Sequence, residues 1–192
     1  MPVIQLIGLP GSGKSSLAKR LVSHLNWSRS FRIGTYHKRF PATEAGDQAA
    51  WSSMLEEMAA CGWNQFVFET TGLNPRWKEV MDSCGCENVL VLKLECKRAE
   101  LLRRISLKST DDQLHGDWFP PHRFRDKSHF VGEAFEEFSR LRADVLLDTT
   151  WATAEEVFDL VIRYLSARSA SAQAVSAESA STHCIVHRNE KS

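Results

Sequence analysis

The chain has 192 residues, enough for one domain with a sizeable core, and is 43% hydrophobic and 25% charged. Its 24 Lys and Arg balance 24 Asp and Glu, so no net field draws it to nucleic acid or to a membrane surface. No apolar stretch is long enough to span a bilayer.

The first apolar run, Val3-Ile4-Gln5-Leu6-Ile7, suits a strand buried on both faces. It has no basic region before it and leads straight into a glycine turn, so a core strand is expected here rather than a signal peptide. Gly8-Leu9-Pro10-Gly11-Ser12-Gly13-Lys14-Ser15 then reads G-x-x-x-x-G-K-S, the Walker A phosphate-binding loop, between a strand and a helix. The glycines let backbone N–H groups turn inward towards phosphate oxygens. Lys14 places a cation at the β- and γ-phosphates, and the Ser15 hydroxyl is of the type that ligates Mg²⁺. A helix is predicted from Lys14 onward, with Leu17, Leu21 and Leu25 on one face, and its positive end adds to the loop. Gly8 through Ser16 are therefore expected to bind Mg-ATP.

A second strand is predicted over Phe31–Ile33, and His37, Lys38 and Arg39 are expected at its end, where an anionic acceptor would enter. A helix over about Ala45–Ala60 would turn Trp51, Leu55 and Met58 inward. A third strand, Gln65–Phe68, runs into Glu69-Thr70-Thr71-Gly72-Leu73-Asn74-Pro75-Arg76-Trp77. Ligands gather at the carboxyl ends of parallel strands, so Glu69 should share the edge that holds the nucleotide loop. A carboxylate there can hold Mg²⁺ or take the proton of an attacking hydroxyl; Asp47 and Glu44 are weaker candidates for the base.

A third helix follows Pro75, a fourth strand covers Val89–Leu94, and a fourth helix covers Arg98–Leu107. That helix carries Arg103 and Arg104 just before an aperiodic stretch of about residues 108–128, read as a mobile lid. One of the two arginines is placed to stabilise the transferring phosphoryl group, with Arg98, Lys108, Arg123 and Arg125 competing for the role. The last strand is Val145–Leu147. Thr153 and Glu156 then form a capping box before the stripe Val157, Leu160, Val161, Tyr164 and Leu165. Residues 167–192 are Ser/Ala-rich and are expected to be a flexible tail, with an alanine-rich helical continuation as the alternative. The five cysteines, an odd count beside a nucleotide loop, suggest a reducing cytoplasm. Alternating strands and helices predict an α/β three-layer sandwich around a five-stranded parallel sheet, the P-loop NTPase fold, with a lid segment.

The run Val67-Phe68-Glu69-Thr70-Thr71-Gly72-Leu73-Asn74-Pro75-Arg76-Trp77 resembles the strand-plus-loop segment of adenylate-kinase-like P-loop phosphotransferases, polynucleotide kinases and the kinase domain of 6-phosphofructo-2-kinases among them. Phe31 to Phe40 resembles the Gly-x-Tyr-Arg-Arg stretch of the 6-phosphofructo-2-kinases, with His37 and Lys38 in place of the paired arginines and Arg39 one position later. The Asp-x-x-Arg pattern of polynucleotide kinases would fall on Gly34 and His37, which supply neither group. Asp144 to Thr150, with a helix after it, resembles the final strand of these kinases.

Residues and resemblance together lead to one expectation: transfer of the γ-phosphoryl group of Mg-ATP to a hydroxyl of a small, anionic molecule. Lys14, Glu69 and Arg104 would be catalytic, and Ser15 and Glu69 would hold the metal. His37, Lys38, Arg39, Arg76 and Arg103 would face the acceptor. A nucleotide-dependent regulatory ATPase and a polynucleotide end kinase are the alternatives; the neutral charge argues against the second. No Asn-Lys-x-Asp guanine-reading motif is present, which argues against a GTPase.

Overall fold

The computed structural model describes residues 3–27, 29–107 and 124–186, with side chains as far as residue 170. The chain divides into two units, Met1–Ala154 and Glu155–Ser192. In the first, β1 (Val3–Ile7) leads to α1 (Lys14–Leu25), β2 (Arg29–Arg32), α2 (Ile33–His37) and α3 (Glu44–Ala60). Then come β3 (Phe66–Thr70), α4 (Trp77–Cys84), β4 (Val89–Glu95), α5 (Arg98–Ser106), α6 (Lys127–Ser139) and β5 (Val145–Asp148). The second unit is the helix α7 (Ala154–Val186), which begins directly after Thr153.

The five strands form one all-parallel sheet in the order β2-β3-β1-β4-β5. After β1 the chain moves to one side for β2 and β3, then crosses to the other for β4 and β5. The order therefore reverses at β1, and such a switch point opens a crevice at the carboxyl edge of an open parallel sheet. The α/β sandwich and its sheet are as the sequence predicts.

Side-chain alternation sorts the strands between two faces. Phe31 of β2 lies in register with Phe68 of β3, and Phe66 with Val3 of β1. These four pack in one cluster with Trp51, Met54 and Met58 of α3 and Val80 of α4. The ring of Phe66 meets that of Phe31 edge to face at 5.1 Å, a favoured aromatic geometry. On the other face α1 lies against β1 and β3 and buries Leu17 and Leu21. A second cluster joins Leu9 of the glycine loop to Leu101 and Ile105 of α5 and to Phe130, Val131 and Phe138 of α6.

Two helices go beyond the sequence reading. The strand predicted over Phe31–Ile33 ends at Arg32, and the short helix α2 takes the chain from Ile33 to His37. Helix α6 follows the predicted lid; Asp126 caps it by accepting a bond from the His129 N–H, and Phe130, Ala134 and Phe138 repeat at spacing four. Most of the lid, residues 108–123, lies outside the described residues. Helix α7 runs as far as Val186 and so includes part of the Ser/Ala-rich segment. Among the described residues no helix is long and apolar enough to cross a membrane.

Candidate active site

The loop after β1 is shaped by its glycines. Gly13, which caps α1, has φ 95°, a conformation that is strained for any side chain. A Cβ at Gly8 would stand 2.5 Å from the Ser12 hydroxyl oxygen and 3.1 Å from the Leu94 carbonyl, so only glycine lets the loop close on β4. The Lys14 ammonium donates to the carbonyls of Gly8 at 2.6 Å and Leu9 at 3.0 Å, which holds the charge over the loop.

Glu69 comes from β3, the strand next to β1, and is only 6% exposed. Its carboxylate accepts a hydrogen bond from the Ser15 hydroxyl at 2.7 Å. The parallel pairing of β1 and β3 thus brings together two groups 54 positions apart in sequence. Both are hard oxygen donors, the kind that suits Mg²⁺. Among the described residues no group of three or more His, Cys, Asp or Glu could hold a metal ion. The donors present therefore fit an ion completed by phosphate and water, which is how Mg²⁺ is commonly held.

A cavity of about 340 Å³ opens at this edge. Its floor is Pro10, Gly11, Gly13, Lys14, Ser15 and Ser16 of the loop. One wall is Arg32, Ile33 and Gly34 at the β2–α2 junction, with Glu69, Thr70 and Thr71 at the end of β3. The other is Arg104 and Ile105 of α5 with Lys127 of α6. Among the described residues the lining carries four cationic side chains, Lys14, Arg32, Arg104 and Lys127, against the single carboxylate of Glu69.

Arg104 is anchored at several points. Its guanidinium donates to Glu100 at 2.8 Å, to the Gly11 carbonyl at 3.3 Å, and to the carbonyls of Thr149 at 2.6 Å and Thr150 at 3.1 Å. It therefore ties the glycine loop to the end of β5. Glu100 receives Arg103 as well, and the hydrogen bond from Arg103, then that from Arg104, holds its carboxyl down at about 2. Arg103 itself is largely exposed and does not line the cavity.

The other predicted acceptor residues fall outside the lining. His37 closes α2, and its Nε2 lies 2.6 Å from Asp47 of α3. Arg39 pairs with Glu57 at 2.8 Å and lies over the Tyr36 ring, while the Tyr36 hydroxyl donates to the same carboxylate. That phenol is pushed above its ordinary value by burial first and by the Glu57 bond second. Arg76 pairs with Glu79 and donates to the Gln48 carbonyl and the Ser52 hydroxyl. His37, Arg39 and Arg76 all fasten neighbouring segments to α3, and Lys38 is an exposed residue between two of them. Asp47, weighed as a base, is engaged with His37.

Sequence reasoning missed Arg32 and Lys127. Arg32 falls inside the predicted strand Phe31–Ile33, but it is the last residue of β2 and hence stands at the carboxyl edge. Lys127 closes the basic run that starts at His122, and it becomes special only because it begins α6 and is 8% exposed there.

No protein-family model matches the chain, and no curated protein matches it in sequence. Solved structures do match. A sugar kinase from Janibacter sp. HTCC2649 aligns at 15% identity and TM-score 0.60, over 86% of this chain and 95% of that one. A shikimate kinase from Bacteroides thetaiotaomicron aligns at 17% identity and TM-score 0.58, over 88% and 98%. A gluconokinase from Sinorhizobium meliloti 1021 aligns at 15% and 0.57, over 82% and 87%. The chain therefore shares the α/β fold of these kinases, with a five-stranded parallel sheet and helices on both sides.

Proposed function

We propose that the protein is an ATP-dependent kinase that moves the γ-phosphoryl group of Mg-ATP to a hydroxyl of a small, anionic molecule. The observation that carries this reading is the meeting of the Ser15 hydroxyl and the Glu69 carboxylate, 2.7 Å apart, in a cavity floored by the phosphate loop. Similarity to sugar, shikimate and gluconate kinases supports a small acceptor.

Phosphoryl transfer asks the protein mainly for position and charge. The loop N–H groups and the end of α1 would face the phosphates, and Lys14 would bring a cation to them. Ser15 and Glu69 would hold the magnesium ion, which neutralises charge on the phosphate oxygens when bound. Glu69 is also the one carboxylate in the described lining, so it is the group that would take the acceptor's proton. Arg104 keeps the loop in register with the end of β5 and adds positive charge beside Gly11. The excess of cations over carboxylates in the lining supports an anionic acceptor, and the balanced charge of the whole chain argues against a long polyanion.

The test is ATP consumption with a panel of hydroxyl compounds and 5′-hydroxyl oligonucleotides. Stimulation by a small hydroxyl compound is expected. Activity confined to oligonucleotides, or hydrolysis that no acceptor stimulates, would replace this reading.

A further inference from the structure

Among the described lining residues, Arg32, Ile33 and Gly34 come from β2 and α2, which lie beyond the Glu69 strand as counted from the nucleotide loop. The sheet order sets this: β1 delivers the loop, β3 beside it delivers Glu69, and β2 beside that delivers Arg32. Arg32 and Glu69 are register partners on adjacent parallel strands, so their side chains leave the same face of the sheet, about 5 Å apart at the backbone. Arg32 is half-buried, and α2 turns away directly after it, which leaves Ile33 and Gly34 as the rest of that wall.

An acceptor hydroxyl must lie between Glu69 and the phosphates to be attacked in line. The remainder of a small acceptor then extends across β3 towards β2 and meets Arg32. A guanidinium presents a planar fork of donors that matches the two oxygens of a carboxylate or the edge of a phosphate. We infer that Arg32 is the residue that recognises the acceptor, by binding an anionic oxygen group carried by the same small molecule as the attacked hydroxyl. This rests on the kinase reading and names its substrate class: a hydroxy acid or a phosphorylated alcohol, not a neutral polyol. Lys127 begins α6, which packs against α5, the helix that carries Arg104 and Ile105, and so is assigned to the phosphate end of the site.

The test uses the full-length chain, with Arg32→Met and Arg32→Lys, and two sets of probes matched in carbon skeleton: glycerate and glycerol 3-phosphate against glycerol, gluconate and glucose 6-phosphate against glucose. Phosphoryl transfer is measured, and in parallel each probe is titrated into protein saturated with magnesium and a non-hydrolysable ATP analogue, read by melting temperature. Wild type is expected to prefer a charged member of a set, with carboxylate and phosphate members separating the two anions. Arg32→Met should raise KM for that member at least about tenfold, the scale of one charge-assisted hydrogen bond, while Arg32→Lys recovers part of it. Affinity for the ATP analogue should stay within about twofold. Arg32→Met with an unchanged charge preference, or one that chiefly weakens the ATP analogue, overturns the assignment of Arg32 and leaves the kinase reading standing. Arg32-dependent stabilisation by a charged probe without any transfer would uphold the anion site and remove the kinase reading.

Discussion

Glu69 joins fold to chemistry at the scale of single residues. It is buried at the end of a central strand and tied to Ser15, so its position is fixed by the sheet before any ligand arrives. Glu69→Gln keeps the shape and removes the charge. Turnover should fall by at least about a hundredfold, the scale associated with a general base, while the melting temperature changes little. Steady-state kinetics beside a thermal melt checks this; a wild-type rate would reduce Glu69 to a cap on the following turn. Glu100 acts one step further out, through the two arginines it holds. Its carboxyl sits at about 2 against an ordinary 4.5, because Arg103 and then Arg104 favour the charged form. A lowered folded value means the contribution to stability is complete above the ordinary value and disappears as pH falls towards about 2. Glu100→Gln should therefore be less stable than wild type at neutral pH, and the gap should close as melts are taken from pH 5 downward. Because Arg104 loses its carboxylate but keeps its carbonyl partners, the KM for ATP should rise by about tenfold. An unchanged KM would show that the carbonyls alone position Arg104.

Among the elements, β3 connects the core to the site. Phe66 and Phe68 sit in the cluster under α3, and Glu69 follows at once. Phe66 is fully buried against Phe31, so Phe66→Ala should cost about 3–5 kcal/mol in urea unfolding. A loss under about 1 kcal/mol would mean that the cluster repacks around the gap. The strands were legible in the sequence because strands buried on both faces read as near-continuous apolar runs, as Val3–Ile7 and Val89–Leu94 do but for Gln5 and Lys93. The loop was legible because glycine spacing encodes its turn locally. What could not be read was the path of the chain just after a strand. His37, Lys38 and Arg39 look like a cationic cluster at a strand end, but α2 intervenes and His37 and Arg39 pair with carboxylates on α3. Asp47 and Glu57 lie 10 and 18 positions further along from their partners, a separation that no local pattern reports. Arg32 and Lys127 were hidden for the converse reason: each is an ordinary basic residue until the sheet edge and the start of α6 place it in the same cavity.

At the scale of the whole molecule, every described residue that lines the cavity lies in the first unit, Met1–Ala154. Deleting residues 167–192 removes none of them, and melting temperature and ATP affinity are expected to change little. A large drop in either would give the Ser/Ala-rich helix a structural role. The most direct measurement of the central claim follows the γ-phosphate itself. ATP labelled at that position is incubated with magnesium, the full-length protein and the panel of small hydroxyl compounds, beside Lys14→Ala. The account predicts label transferred to a small hydroxyl compound by the wild type and none by Lys14→Ala. Near-normal transfer by Lys14→Ala, or label appearing only as inorganic phosphate with every acceptor, would contradict it.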